Sequence, residues 1–279
     1  MGIQTTAGFK KEFLACFRTG RLFFLALSVI GLGIFSPLLL VGLGSLIESM
    51  GDIYDQVGID ISGMLGFLSS ASSLGVSQSI TDITGVGLLV FLLLINNAAG
   101  GEQKRRDIII PRSAGLRSFG YLFPKFIIYP LAALIFTVLA IFASWGISTA
   151  VFEVSDVSFE QALLSGILTG MCLMLYVCCH LTLGTATGKP GMSAAVCIVA
   201  SYIIPSIFSL VGAEYMFNPF GLNGLASTVV IAGEVTSGEM RDIATTMAFA
   251  VALFILTYLV ALFAQNAKKV DNSGNEMEL

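Results

Sequence analysis

The stretch GEQKRRDIIIPRSAGLRSFGYLFPK, residues 101–125, holds six of the chain's fourteen Lys and Arg residues: Lys104, Arg105, Arg106, Arg112, Arg117 and Lys125. Apolar sequence walls it in on both sides. Of the 279 residues, 56% are hydrophobic and 11% charged, with a mean hydropathy of +0.89. That balance is the composition of a polytopic membrane protein. A helix crossing a hydrocarbon layer of about 30 Å needs about 20 apolar residues. Six windows free of Asp, Glu, Lys and Arg answer to this, 24–47, 83–100, 126–151, 161–187, 192–212 and 243–265. No segment alternates in polarity as a barrel strand would. The expected fold class is therefore an all-α membrane protein with six transmembrane helices in one domain, residues 1–265, followed by a polar tail, 266–279, whose last residues read as disordered. A cleaved signal peptide competes for the N-terminus, but its apolar region is normally about 7–15 residues, shorter than 24–47.

Six spans put both termini on one side and sort the remaining segments into two sets. Residues 1–23, 101–125, 188–191 and 266–279 carry 13 of the 14 basic residues, leaving only Arg241 for the other side. The second set holds 12 of the 18 acidic residues, Asp82 among them. Cytoplasmic segments are enriched in Lys and Arg, so the expectation is a multi-pass protein of the cytoplasmic membrane with both termini inside. The 101–125 stretch then becomes the main cytoplasmic connector. Orientation and contact with anionic headgroups would account for its charge in part, at about 1 kcal/mol per basic residue. Its mixture of Glu102, Asp107, an apolar Ile108–Ile110 run, a Pro111 break and Ser113-Ala114-Gly115 points instead to a short folded element that docks on something.

These residues resemble the ABC-2 type permeases, the membrane subunits of ATP-driven exporters. The resemblance rests on Lys11-Glu12 within FKKEFLACFRTGRLFFLAL, on GIFSPLL at 33–39, and on Glu102, Arg105, Pro111, Arg112, Ser113 and Lys125 in the connector. Arg106-Asp107 stands where many members have Gly-Thr. The resemblance implies an ATPase-coupling element formed by Glu102, Gln103, Lys104, Arg105, Arg106, Asp107, Pro111, Arg112, Ser113, Gly115 and Arg117. It also implies an interfacial elbow helix before the first span, and short outer helices that close an exit before the last span. The expected partners are an ATP-binding cassette subunit, a second permease, identical or not, and membrane lipid. No nucleic-acid partner is expected.

The residues themselves agree with part of this. Phe9, Phe13, Cys16 and Phe17 recur at helical spacing, with Lys10, Lys11 and Arg18 off that face, the pattern of a helix in the membrane interface. An ordinary flank of the first span is the alternative. Residues 48–82 form an acidic outer segment with room for one or two helices. Tyr215, Phe217, Asn218, Pro219 and Phe220 belong to a stretch too apolar for a solvated loop and too broken for a seventh span, so it reads as sheltered irregular backbone, which the resemblance implies is an outer gate, or as a helix packed on the outer surface.

No nucleotide site is found. GTATGKP, Gly184–Pro190, has three residues between its glycines where a phosphate-cradling loop needs four, and Pro follows the Lys. ATP and Mg would be bound by the partner subunit, and the chain is expected to have no catalytic residue and no cofactor of its own. His180, beside Cys178-Cys179, invites a metal, but neighbouring helical residues point about 100° apart and no second His exists. His180 or Asn96-Asn97 would line the pathway or, more simply, pack between helices. The charge-free windows hold no acid pair or Ser/His constellation for an intramembrane hydrolase. A secondary transporter coupled to ions, or a scaffold or immunity protein without transport, remain the rival classes.

Overall fold

The computed structural model describes residues 2–50, 72–105, 117–152, 154–210, 218–232 and 237–271, and among them there is no strand. Among the described residues, eight helices of ten or more residues form: α1 Gly2–Arg18, α2 Arg21–Ser49, α3 Ser72–Ile95, α4 Ser118–Val151, α5 Phe159–Thr187, α6 Pro190–Leu210, α7 Leu222–Ile231 and α8 Ser237–Asp271. Six of them, α2 to α6 and α8, are long and apolar enough to cross a membrane. The protein is an all-α, multi-pass membrane protein. The tail expected from 266 onward is helical as far as Asp271.

Helix α5 is the hub. Its flanks bury residues all round, and Gly166 and Gly170 face α4 so closely that an added Cβ would sit 3.3 Å from Val138 Cα and 3.1 Å from the Leu134 carbonyl oxygen. Small residues one helical turn apart let two backbones approach where lipid provides no hydrophobic drive. Its N-terminus carries a capping box. Gln161 N–H donates to Ser158 Oγ at 3.3 Å, and Ser158 N–H donates back to Gln161 Oε1 at 2.7 Å. Its C-terminus explains GTATGKP without a nucleotide. Gly188 sits at φ 69 as the left-handed cap, Pro190 opens α6, and Gly184 meets the Ala99 carbonyl face to face.

The second span departs from the charge-free window 83–100. It starts at Ser72, so Asp82 lies inside the helix rather than in an outer loop. A window that admits no charge must stop at Asp82, whereas the helix is set by packing. Asp156 accepts hydrogen bonds from Ser72 Oγ at 2.7 Å, Ser73 N–H at 2.9 Å and Ser73 Oγ, and so caps the start of α3. Burial works against the Asp156 charge, but these bonds outweigh it and hold the carboxyl below its ordinary value. Further on, Ser79 Oγ pairs with Ser144 Oγ at 2.6 Å and reaches the Gly33 carbonyl at 3.5 Å, fixing the level of α3 against α4 and α2. Gly33 is near the middle of α2, and Asp82 is one turn further along, so it sits at about the centre of the bundle's apolar height. On insertion scales a carboxylate there costs about 2.5–3.5 kcal/mol.

Of the five residues expected at an outer gate, Asn218, Pro219 and Phe220 are among those described. Asn218 caps a short 3-10 turn, Pro219–Gly221, by accepting from Phe220 N–H at 3.2 Å. The Phe220 ring lies 5.1 Å from that of Tyr176, and its carbonyl accepts from Cys172 Sγ at 3.6 Å. Cys172 is about 20 Å along α5 from its Phe159 end, so this turn dips to mid-height before α7 climbs back. Irregular backbone at that depth is sheltered by protein, as it must be. Tyr215 and Phe217 lie outside the described residues.

Candidate functional site

Among the described residues, the densest polar cluster gathers where α1, the end of the α3 segment and the first turns of α4 meet. Sequence spacing makes this convergence possible. On α4, Tyr121, Lys125 and Tyr129 recur every four residues and form one stripe; on α1, Gly8, Glu12 and Cys16 do the same. The two stripes press together because Gly8 has no side chain. An added Cβ would run into the Gly120 carbonyl and lie 3.1 Å from Pro124.

The third contributor arrives through a bend. After Ile95 the chain makes a wide π turn, Asn97–Gly101, with Gly100 at φ 137, a conformation that favours glycine. Gly100 also abuts the Gly184 carbonyl, so no larger residue fits. One further turn, Glu102–Lys104, then aims Glu102 inward.

Lys125 is fully buried and is the centre of the cluster. Its Nζ donates to Glu102 Oε2 at 3.0 Å, to Tyr121 Oη at 2.8 Å and to the Ala98 carbonyl at 3.0 Å, and lies 3.7 Å from Glu12 Oε1. Tyr121 Oη in turn donates to Glu102 Oε2 at 2.9 Å. Lys11 approaches from the edge, donating to Glu102 Oε2 at 3.2 Å and standing 3.8 Å from Glu12 Oε1. A second layer follows: Tyr129 Oη donates to Glu12 Oε2 at 3.5 Å and accepts from Arg21 Nη1 at 3.0 Å. Cys16 Sγ also donates to Tyr129 Oη, at 3.4 Å. Burial raises the Glu102 carboxyl, but the Lys125 and Lys11 charges, with the hydrogen bonds from Lys125 and Tyr121, overcome this and lower it from 4.5 to about 2. Lys11, Lys125, Glu12 and Glu102 stand within ion-pair distance of one another, as low dielectric demands, although Glu12 Oε1 accepts no hydrogen bond and Arg21 bonds the neutral Tyr129 hydroxyl. Chemically the arrangement is a rigid joint: it ties the start of the 101–125 connector to α1 and α4 at once.

The expected site residues distribute unevenly around this joint. Glu102 is in it. Gln103 is half-buried and close to Gly188, Arg105 is exposed and donates to Asn97 Oδ1, and Arg117 is exposed just ahead of α4. Arg106, Asp107, Pro111, Arg112, Ser113 and Gly115 lie outside the described residues, and so does the Lys104 side chain. On α1, Lys10, Phe13, Phe17 and Arg18 are exposed, and the Phe13 and Phe17 rings are 4.8 Å apart. Phe9 packs edge-on to Phe123 at 5.8 Å. Cys16 leaves that apolar face and is buried against Tyr129, because the helix turns its narrow Gly8-Glu12-Cys16 stripe toward α4.

Sequence reasoning passed over Tyr121, Tyr129, Arg21 and Asp82. The four-residue recurrence on α4 was the available signal for the tyrosines; none marked Arg21. His180 is buried, and its Nδ1 hydrogen-bonds Ser193 Oγ at 2.9 Å, a link between α5 and α6. Among the described residues no group of three or more His, Cys, Asp or Glu side chains is placed to hold a metal. Comparison with protein-family models, with characterised proteins and with solved structures returns no match.

Proposed function

We propose that the chain is the membrane subunit of an ATP-driven exporter of the ABC-2 permease kind. It would work in a pair of permeases with two ATP-binding cassette subunits that carry the nucleotide and Mg. The observation that supports this most is the Lys125 joint. Glu102 opens the basic connector and is bonded through Lys125 and Lys11 to α4 and α1. A displacement of the connector by a partner is therefore delivered to two helices rather than absorbed in a loose loop. In the cycle proposed, ATP draws the cassette subunits together, the connectors move with them, and the bundle passes from inward-facing to outward-facing. Only a difference in the partner's affinity for the two states drives that shift. Helix α1, with Phe13 and Phe17 exposed beside Lys10 and Arg18, suits a place at the inner membrane interface. The turn at Asn218–Phe220 suits the exit.

Affinity purification from native membranes tests the reading. The wild-type chain is expected to bring down an ATP-binding subunit with ATPase activity. Reversal of Arg105, Arg106 and Arg112 to Glu is expected to abolish this while leaving membrane insertion intact. Equal recovery of the ATPase by that variant overturns the proposed coupling role. A second reading, an ion-coupled secondary transporter, draws support from Asp82 at mid-height. It requires transport by the purified chain without ATP, which the exporter reading forbids.

A further inference from the structure

Resting on the transport reading, a further role falls to Asp82 in α3. The helix divides into two faces. Ile80, Ile83, Gly87, Leu88, Phe91, Leu92 and Ile95 are buried in the bundle, while Thr81, Val86, Leu89 and Leu93 are exposed. Asp82 stands at the edge of the uncovered face, half-buried. Gln78 Nε2, one turn earlier, donates to Asp82 Oδ1 at 2.9 Å, and among the described residues no Lys or Arg forms an ion pair with it. Immediately after it the helix widens into a π turn, Ile83–Gly87, an irregularity often found at functional positions. From α6, the Tyr202 hydroxyl reaches across to within 3.6 Å of where a Gly85 side chain would begin.

A carboxylate at mid-height with no cationic partner is costly against lipid, and such residues as a rule face the bundle interior or a water-filled cavity. We propose that Asp82 is the counter-charge for a cationic organic cargo, bound on the α3 face between Gln78 and Leu89 and flanked by Tyr202. The chemistry selects this class over a metal ion. Hard cations take six or more oxygens, whereas among the described residues this surface offers one carboxylate, to which Gln78 donates its Nε2. Exposed Val86 and Leu89, with the Tyr202 hydroxyl near Gly85 and a single negative charge one turn away, match an apolar monocation.

The test uses the purified full chain in lipid nanodiscs and tetraphenylphosphonium as probe, with tetraphenylborate as the anion of matched shape. Wild type is expected to bind the cation saturably. Asp82→Asn is expected to weaken it at least tenfold, and Asp82→Glu to retain most of it, with borate binding unchanged in all three. Unaltered elution and melting show that the Asn variant is folded. Absence of saturable binding by wild type, or wild-type affinity in Asp82→Asn, overturns the proposal. So does an Asn variant that binds the cation normally but dimerises differently, since the face would then belong to a second copy. No ATP or partner enters this assay, so its failure is distinct from failure to recover an ATPase.

Discussion

Replacing Lys125 with Met keeps the volume and removes the charge at the centre of the joint. The Glu102 carboxyl is lowered from 4.5 to about 2, which corresponds to about 3 kcal/mol of favourable interaction with its surroundings. Lys11 shares in this, but its side chain is 40% exposed and screened, so most of the interaction belongs to the fully buried Lys125. Losing Lys125 also leaves the Ala98 carbonyl without that donor and deprives Glu12 of its nearest described cation. The expected cost is about 3 kcal/mol, at the lower end for breaking one partner of a buried pair because Lys11 remains. The scale of about 2–4 °C per kcal/mol for roughly 150–250 residues is an upper limit for this 279-residue chain, so melting in nanodiscs is expected to fall by at most roughly 6–12 °C. Lys11→Met is expected to cost under about 1 kcal/mol. Adding Glu102→Gln to Lys125→Met is expected to recover part of the loss, because no uncompensated carboxylate then remains at that position. The pH dependence has a definite sign. A carboxyl lowered in the folded state contributes fully above its unfolded value near 4.5, and that contribution is lost as pH falls toward about 2. Wild type is therefore expected to show no change from this group above about pH 5, and the acid slope should flatten in Lys125→Met. A Lys125→Met chain that melts no lower than Lys11→Met, or a double variant no more stable than the single, refutes the reasoning.

Three further outcomes follow from separate contacts. Asp156→Ala removes the acceptor for Ser72 and Ser73 and is expected to cost about 1–2 kcal/mol, with hydrogen exchange rising first at the start of α3. Because the Asp156 carboxyl is also lowered, this contribution should persist above the ordinary carboxylate range and fade in acid. Gly184→Val drives a side chain into the Ala99 carbonyl; destabilisation of at least about 3 kcal/mol is expected, read as a lower melting temperature. Ser193→Ala breaks the link to His180 between α5 and α6 and is expected to cost about 1 kcal/mol, against near-neutrality at exposed Ser206 of α6.

Composition and charge-free length were enough to determine the class, the six apolar helices and their approximate places, because the hydrocarbon requirement acts on each segment locally. Helix stops were equally local: Ser158 with Gln161, and Gly188 before Pro190, mark the ends of α5 in the chain itself. The joint was not legible in this way. Lys125 belongs to the basic connector by sequence and to the interior by structure, because a stripe on α1 and a turn after α3, far apart in the chain, close around it. Asp82 shows the converse. Its charge placed it outside the membrane in any linear reading, and only the Ser79–Ser144 contact, which sets the level of α3 against its neighbours, carries it to mid-height. A bilayer sorts residues one at a time, whereas the pairing that makes a buried charge tolerable is a property of three helices meeting.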